Sequence, residues 1–309
     1  MKHYLYDSNH KRLLKSLLFK FNNQNLRPCC SIEFEFYIKN IDNSDSFLSD
    51  IKNFADNRGI LINDIVKEAS ENQFEIAMQH SFDIIKISEQ YLQLKELMIE
   101  LAQTYSLDLN FSGKPYGNDF HGNGMHLHIS LYDDSNNNLY SKIDDNESEI
   151  LLNSIAGLLK YMNSSLIFMN KDSSDFARYN SQINIENSKK RYSCNKSYAP
   201  THICWGKNNR TVAIRIPDSV TDPVNRHIEY RVAVPNADPI TVFLILLLQI
   251  NSGISNKYNP DIPIHGNAFD KQYNLENIHN NFENALDDFN KSEFKDMLDR
   301  FYNLEDHKN

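Results

Sequence analysis

The chain has 309 residues, 40% hydrophobic and 24% charged, which suffices for one large domain or two modest ones around a substantial core. That composition excludes a disordered tail, a collagen-like repeat and a low-complexity linker. With 41 Asp and Glu against 32 Lys and Arg, the formal charge is −9, which argues against a nucleic-acid binder, whose affinity rests on basic side chains. In chain order, Leu13, Leu14, Leu17, Leu18 and Phe21 predict an amphipathic helix over residues 11–21. Arg27-Pro28 introduces a strand at 31–38, and a helix at 46–55 ends near Arg58-Gly59. Two short strands follow at 60–66 and 73–78, then a long helix at 82–105. Strands at 107–111 and 125–131 flank a glycine-containing loop, and 149–169 reads as a helix. Strands at 203–204, 211–216 and 227–234 precede helices at 237–254 and 275–302, the last one polar. Strands that do not alternate strictly with helices favour an α+β fold over a doubly wound parallel sheet.

Cys29, Cys30, Cys194 and Cys204 contain no CxxC, which is neither a disulfide framework nor a thiolate zinc pattern and fits a reducing cytoplasm. Charges interrupt every apolar run of the N-terminus, unlike a signal peptide. The most apolar run, TVFLILLLQI at 241–250, is too short to cross a bilayer and reads as a buried helix. A cytoplasmic protein that engages neither membrane nor nucleic acid is therefore expected. Trp205 is expected in the core, and His10, His80, His202, His265, His279 and His307 carry no visible constellation.

Alternate residues of a strand share one face, so the strands display their chemistry. Glu33 and Glu35 share a face opposite Ile32, Phe34 and Phe36; His126, His128 and Ser130 oppose Met125, Leu127 and Ile129. Glu229 and Arg231 oppose Ile228, Tyr230 and Val232, and Gln73 and Glu75 oppose Phe74 and Ile76. Two readings fit. The strands can be amphipathic members of a half-exposed sheet with their charges in water. Alternatively, paired carboxylates that repel one another unless a cation intervenes, together with a histidine, make a donor set suited to Mg2+ or Mn2+. Arg210, Arg215 and Arg231 would then complement phosphate or carboxylate oxygens, the equipment of phosphoryl transfer.

Taken in order, SIEFEFY (31–37), EASENQFEI (68–76), KPYGNDFHGNGMHLHISL (114–131), NSKKR (187–191), APTHICWGKNNRTVAIRIP (199–217) and IEYRVAVPNADP (228–239) resemble the catalytic domain of glutamine synthetase. The resemblance implies a single α+β domain over 1–309, with a short helical lead-in at 1–30, a helical part at 257–309, and a curved, funnel-like antiparallel sheet (a half barrel) flanked by helices. It also implies an ATP-dependent ligase: ATP phosphorylates the γ-carboxylate of glutamate, and ammonia or an amine displaces the phosphate. By motif, Glu35, Glu68 and Glu75 would hold one Mg2+ or Mn2+, and Glu33, His126 and Glu229 a second. His128 and Ser130 would lie along the nucleotide, with Arg210 and Arg215 on its phosphates. Arg191 and Arg231 would bind glutamate or the transferring phosphoryl group, near Gly122, with Arg210 and Arg231 as the catalytic pair. Family members assemble as homo-oligomeric rings. Three departures bear on the amine: only about thirty residues precede the ExE strand where the family has a β-grasp domain, Tyr198 replaces the flap Glu before Ala199-Pro200, and His121 and His227 replace an Asn and an Arg. These leave the metal set intact and the ammonium set depleted, so a γ-glutamyl-polyamine or monoamine ligase, or a catalytically weak ATP-binding homologue that needs a partner subunit, is the alternative expectation.

Overall fold

A computed structural model of the chain describes residues 9–39, 44–68, 70–116, 120–144, 146–180, 199–218 and 225–306. Arg191, Cys194 and Tyr198 lie outside the described residues, as does the NSKKR segment.

Helix α1 (His10–Asn22) turns Leu13, Leu14, Leu17 and Phe21 inward, as its spacing requires. It leads into β1 (Arg27–Lys39), longer than predicted because pairing extends over nearly its whole length. Helix α2 (Ser44–Asn57) and the hairpin of β2 (Ile62–Lys67) and β3 (Gln73–Met78) follow. Helix α3 (Ile84–Thr104) begins two residues later than its apolar pattern suggests, because Asp83 caps it by accepting from Lys86 N. After β4 (Asp108–Asn110) and β5 (Met125–Tyr132), Ser148 caps α4 (Glu149–Lys160) through Leu151 N.

The predicted helix at 149–169 is broken. Tyr161 leaves helical geometry, and the chain continues as α5 (Met162–Ser165) and a 3-10 turn, Leu166–Phe168. No strand forms at 203–204, where Ile203 N donates to Glu276 O outside the sheet. Instead β6 (Trp205–Lys207), β7 (Ile214–Ile216) and β8 (Ile228–Tyr230) complete the set. Helix α6 (Pro239–Asn256) has Asp238 as cap and Pro239 in its first turn. The helix predicted at 275–302 divides into α7 (Phe282–Lys291) and α8 (Glu293–Asp306). Ser292 is extended between them, and its Oγ accepts from Lys295 N, starting a new helix where the first one ends.

The eight strands form one open sheet in the order β2-β3-β1-β5-β8-β7-β6, with β4 pairing beside β1 beyond the end of β5. The α+β class is as expected. Pairing is antiparallel except between β6 and β7, which run parallel. The apolar strand residues Ile32, Phe34, Phe36, Leu127 and Ile129 join one core with α1 and α3. Helix α6 is long and apolar enough to cross a membrane by length and composition, yet 72% of it is buried in this core, packed on α1, α3 and α4. Trp205 is buried as expected, and its ring N–H donates to Asp261 O.

Candidate active site

Strand register brings the polar faces together. Opposite β1, Glu33 stands across from His126 of β5, and Glu35 across from Glu75 of β3. Next along the sheet, His128 of β5 faces Glu229 of β8, which in turn faces Arg215 of β7. Five adjacent strands thus deliver carboxylate, imidazole and guanidinium groups into one cavity of about 290 Å³, which Glu33, Glu68, Glu75, His126, Arg210 and Arg231 help to line. Two larger clefts, of about 480 and 830 Å³, lie elsewhere and have no comparable donor set among their described residues. The small cavity is the one that gathers carboxylates, imidazoles and guanidiniums.

The strands do not leave these charges in water. Glu35 is 5% exposed, His126 4% and Glu229 2%. His126 is the hub: its ring nitrogens lie 3.8 Å from Glu33, 3.9 Å from Glu35 and 3.7 Å from both Glu75 and Glu229. Such distances are too long for hydrogen bonds and fall within the span of two donors that share one ion about 2.1 Å from each. Ligand atoms of Glu35, Glu68 and Glu75 lie within 4.8 Å of one another, and so do those of Glu33, Glu75 and His126. The first trio is the one that the motif implies. In the second, Glu75 stands where Glu229 was expected, while Glu229 is clasped by two arginines: Arg215 donates to it at 2.7 Å and Arg231 pairs with its other oxygen.

The charges perturb one another strongly. Burial, reinforced by Glu68, pushes the Glu35 carboxyl up to about 8. Burial and four neighbouring carboxylates push Glu75 up to about 9. Glu229 goes the other way: burial opposes its charge, but Arg231, His126, His128 and Arg215 hold it below the usual carboxylate range. Burial likewise opposes Glu33, and the imidazoles of His128 and His126 outweigh it and lower its pKa. His126 falls to about 4 through burial and Arg231, which leaves a neutral imidazole with a lone pair to offer.

Of the other expected residues, Arg210 is exposed at the cavity wall. Ser130 is buried and donates to Arg226 O at 3.2 Å. The Gly122 carbonyl accepts from Gln73 Nε2 at 3.2 Å. Gln73 and Arg178 hold the site together without having been singled out as functional. Gln73 Nε2 also reaches Glu35 (3.3 Å) and Asn123 (3.1 Å), so it ties the ExE strand to the glycine loop. Arg178 is buried and donates to the carbonyls of Arg231 and Val232 at 3.2 Å. Its position in the 3-10 stretch Ser173–Tyr179 gives no periodic signal. Gly124 N donates to Glu35 Oε2 at 2.7 Å, and a Cβ there would meet Arg178 Nη2 at 2.6 Å and His126 Nε2 at 2.7 Å, so a side chain at this position would displace both groups. His80 also joins the cavity, beside His128 and His227.

The sheet order and this carboxylate-lined cavity define a domain of the glutamine synthetase type. Residues 2–302 match the family described as "Glutamine synthetase, catalytic domain", and the chain belongs to that family. Among curated relatives, it is 27% identical over 298 residues to the gamma-glutamylputrescine synthetase of Escherichia coli (strain K12), covering 86% of this chain and 60% of that one. It is 26% identical over 263 residues to the glutamine synthetase of Pyrococcus abyssi, covering 83% and 55%. The chain therefore spans a little over half the length of these relatives. Ligand-free GmaS superposes with a TM-score of 0.77 at 18% identity, covering 92% of this chain and 68% of that one. Plasmodium falciparum glutamine synthetase superposes with a TM-score of 0.76 at 15% identity, covering 97% and 75%. Both establish a shared fold.

Proposed function

We propose that the chain catalyses ATP-dependent formation of a γ-glutamyl amide. The γ-carboxylate of glutamate attacks the terminal phosphorus of ATP and releases ADP. The nitrogen of ammonia or an amine then attacks the γ-carbonyl carbon of γ-glutamyl phosphate, giving up a proton and expelling inorganic phosphate. The observation that carries this reading is the pair of ligand groupings that share Glu75, one with Glu33 and His126 and one with Glu35 and Glu68, beside Arg215 and Arg231.

The donors suit divalent cations. They are mostly carboxylate oxygens with one neutral imidazole, which fits Mg2+ or Mn2+. Glu35, Glu68 and Glu75 would hold one ion, and Glu33 with His126, Glu75 or Glu229 a second. Bound there, the ions would neutralise phosphate charge and polarise the transferring phosphoryl group. The chain's own groups do the positioning. Arg210, exposed at the cavity wall, is free to reach phosphate oxygens, and His128 and Ser130 would lie along the nucleotide. Arg231, buried and fixed against Glu229, presents a preorganised guanidinium to glutamate or to the phosphoryl group. Gly122, in the loop that Gln73 anchors, would approach the amino acid. The likeness to the gamma-glutamylputrescine synthetase of Escherichia coli supports an amine larger than ammonia as acceptor.

The test is γ-glutamyl hydroxamate formation from glutamate, ATP and hydroxylamine with Mg2+ or Mn2+, followed by phosphate release with ammonia, monoamines and diamines. Metal- and ATP-dependent product is expected, with amines preferred to ammonia. Absence of product with every amine, while ATP still binds, would overturn the ligase reading. Full activity with ammonia alone would overturn the preference for amines.

A further inference from the structure

Gln73 lies on β3 two positions before Glu75 and therefore on the same face of the sheet. Across the ladder it stands opposite Tyr37 of β1, while Glu35 stands opposite Glu75, so the Gln73 amide reaches Glu35 along the diagonal. The side chain is buried. Its Nε2 meets three acceptors: Asn123 Oδ1 at 3.1 Å, the Gly122 carbonyl at 3.2 Å and Glu35 Oε2 at 3.3 Å. Its Oε1 lies 3.3 Å from Ser70 N and 3.4 Å from the Tyr37 hydroxyl. Acceptors on one side and donors on the other fix which way the amide points.

The two oxygens of Glu35 are thereby made unequal. Oε2 accepts from Gln73 Nε2 and, at 2.7 Å, from Gly124 N, so two protein donors occupy it. Oε1 is the oxygen on the side of His126, 3.9 Å from its Nε2 and beyond hydrogen-bond reach. The loop that follows is held one residue at a time. Ser70 Oγ accepts from His121 N at 3.0 Å, the Tyr37 hydroxyl donates to His121 O at 2.9 Å, and Gln73 donates to the next two residues. Of these three side chains, Gln73 also bonds a carboxylate of the candidate metal site.

We propose that Gln73 is a positioning residue that acts through Glu35. By occupying Oε2 it makes Glu35 a one-oxygen ligand, through Oε1, for the divalent cation that Glu35, Glu68 and Glu75 would hold. The same amide sets the distance from that carboxylate to the glycine loop. A hydrogen bond to the second oxygen of a ligating carboxylate orients the first, and such outer partners govern metal affinity. What the loop is held for rests on the γ-glutamyl ligase reading. The effect on the cation does not, because it follows from the contacts of Glu35 alone.

Titration of the metal-free full chain with Mn2+, read by the fall of the free-ion signal in electron paramagnetic resonance, tests this without turnover. Gln73→Met removes the amide at nearly constant volume and should weaken Mn2+ binding ~10–100-fold, the usual cost of losing an outer partner. Ser70→Ala removes the hydroxyl that holds His121 N but keeps the backbone donor to Gln73, so its Mn2+ affinity should stay close to the parent's. Both variants should raise the KM for glutamate, and only Gln73→Met should raise the Mn2+ requirement. Urea unfolding shows whether Gln73→Met keeps the fold. If it does not, Gln73→Asn, an amide one methylene too short to reach Glu35, carries the same expectation. Parental Mn2+ affinity in a folded Gln73 variant, or an equal loss in Ser70→Ala, would overturn the proposal. Weakened Mn2+ binding in a chain whose parent forms no γ-glutamyl product would uphold the role at Glu35 and defeat the ligase reading alone.

Discussion

Glu75 concentrates the electrostatics of the cavity. It faces Glu35 across the β1–β3 ladder, lies 3.7 Å from His126, and belongs to both carboxylate groupings. Glu35 and Glu75 titrate at about 8 and about 9 in place of the usual 4.5. A raised carboxyl holds its proton in the folded state while the unfolded chain ionises freely. The metal-free protein therefore loses their contribution as pH rises from the ordinary carboxylate range through the folded values. Glu33 and Glu229 run the opposite way: their pKa values are depressed, so their contribution is present at neutral pH and is lost only in acid. A divalent ion needs the ionised carboxylates, so its stabilisation grows over the window in which Glu35 and Glu75 shed protons. The rise in Tm caused by Mg2+ should accordingly be larger near pH 9 than near pH 5. Equal shifts at the two pH values would contradict the assignment. Glu75→Gln should raise the metal-free Tm by relieving repulsion and remove most of the Mg2+ response; a variant that responds to Mg2+ like the parent would remove Glu75 from the metal site.

At the scale of elements, much of the site was legible because a strand has period two. The shared faces of Glu33 with Glu35, and of His126 with His128, follow from spacing alone. Register was not legible: Glu33 meets His126, 93 positions further along the sequence, and nothing local encodes that match. A single polar residue such as Arg178 lacks a repeating pattern, and only tertiary placement brings it against the site. The parallel β6–β7 pair and the break at Ser292 escaped for different reasons. The first is a long-range pairing choice, whereas the second carried a readable sign, a serine followed by an acidic residue at a new helix start. Helix packing behind the sheet offers a sharper test. Helices α4 and α6 approach so closely that a Cβ on Gly253 would meet Asn153 O at 2.1 Å and one on Gly157 would meet Gln249 O at 2.2 Å. These are backbone atoms of buried helices and cannot swing aside. Gly253→Ala should destabilise the chain by about 1–3 kcal/mol in urea unfolding, despite the better helix propensity of alanine. Parental stability would show that the helices can separate at little cost.

Across the whole molecule, the first and last described helices close on the helix that runs through the core. His10, at the start of α1, is buried. Its Nδ1 lies 2.7 Å from Thr241 Oγ1 of α6, and its Nε2 meets the Tyr302 hydroxyl of α8. Thr241 donates its own hydroxyl proton to Asp238 Oδ2 at 2.5 Å, so it accepts from His10 Nδ1–H, and Nε2 accepts from Tyr302. One neutral tautomer thus ties His10 to Thr241 and Tyr302, which lie 231 and 292 positions away in sequence. The α1–α8 contact is reinforced by Arg12, which donates to Glu305 O at 3.1 Å, and by Ser16, which donates to the Glu305 carboxylate. The sequence showed His10 as an isolated histidine because both partners are remote. Because Asp238 caps α6 in the segment that follows β8, the strand that carries Glu229, a loosened clamp would be felt toward the cavity. His10→Ala leaves Tyr302 and one face of Thr241 without their buried partner, so a loss of about 1–3 kcal/mol is expected in denaturant unfolding. His10→Gln, which can donate to Thr241 and accept from Tyr302, should recover part of that loss. If alanine were as stable as the parent, or glutamine no better than alanine, the bridge would hold the termini by shape and not by hydrogen bonding.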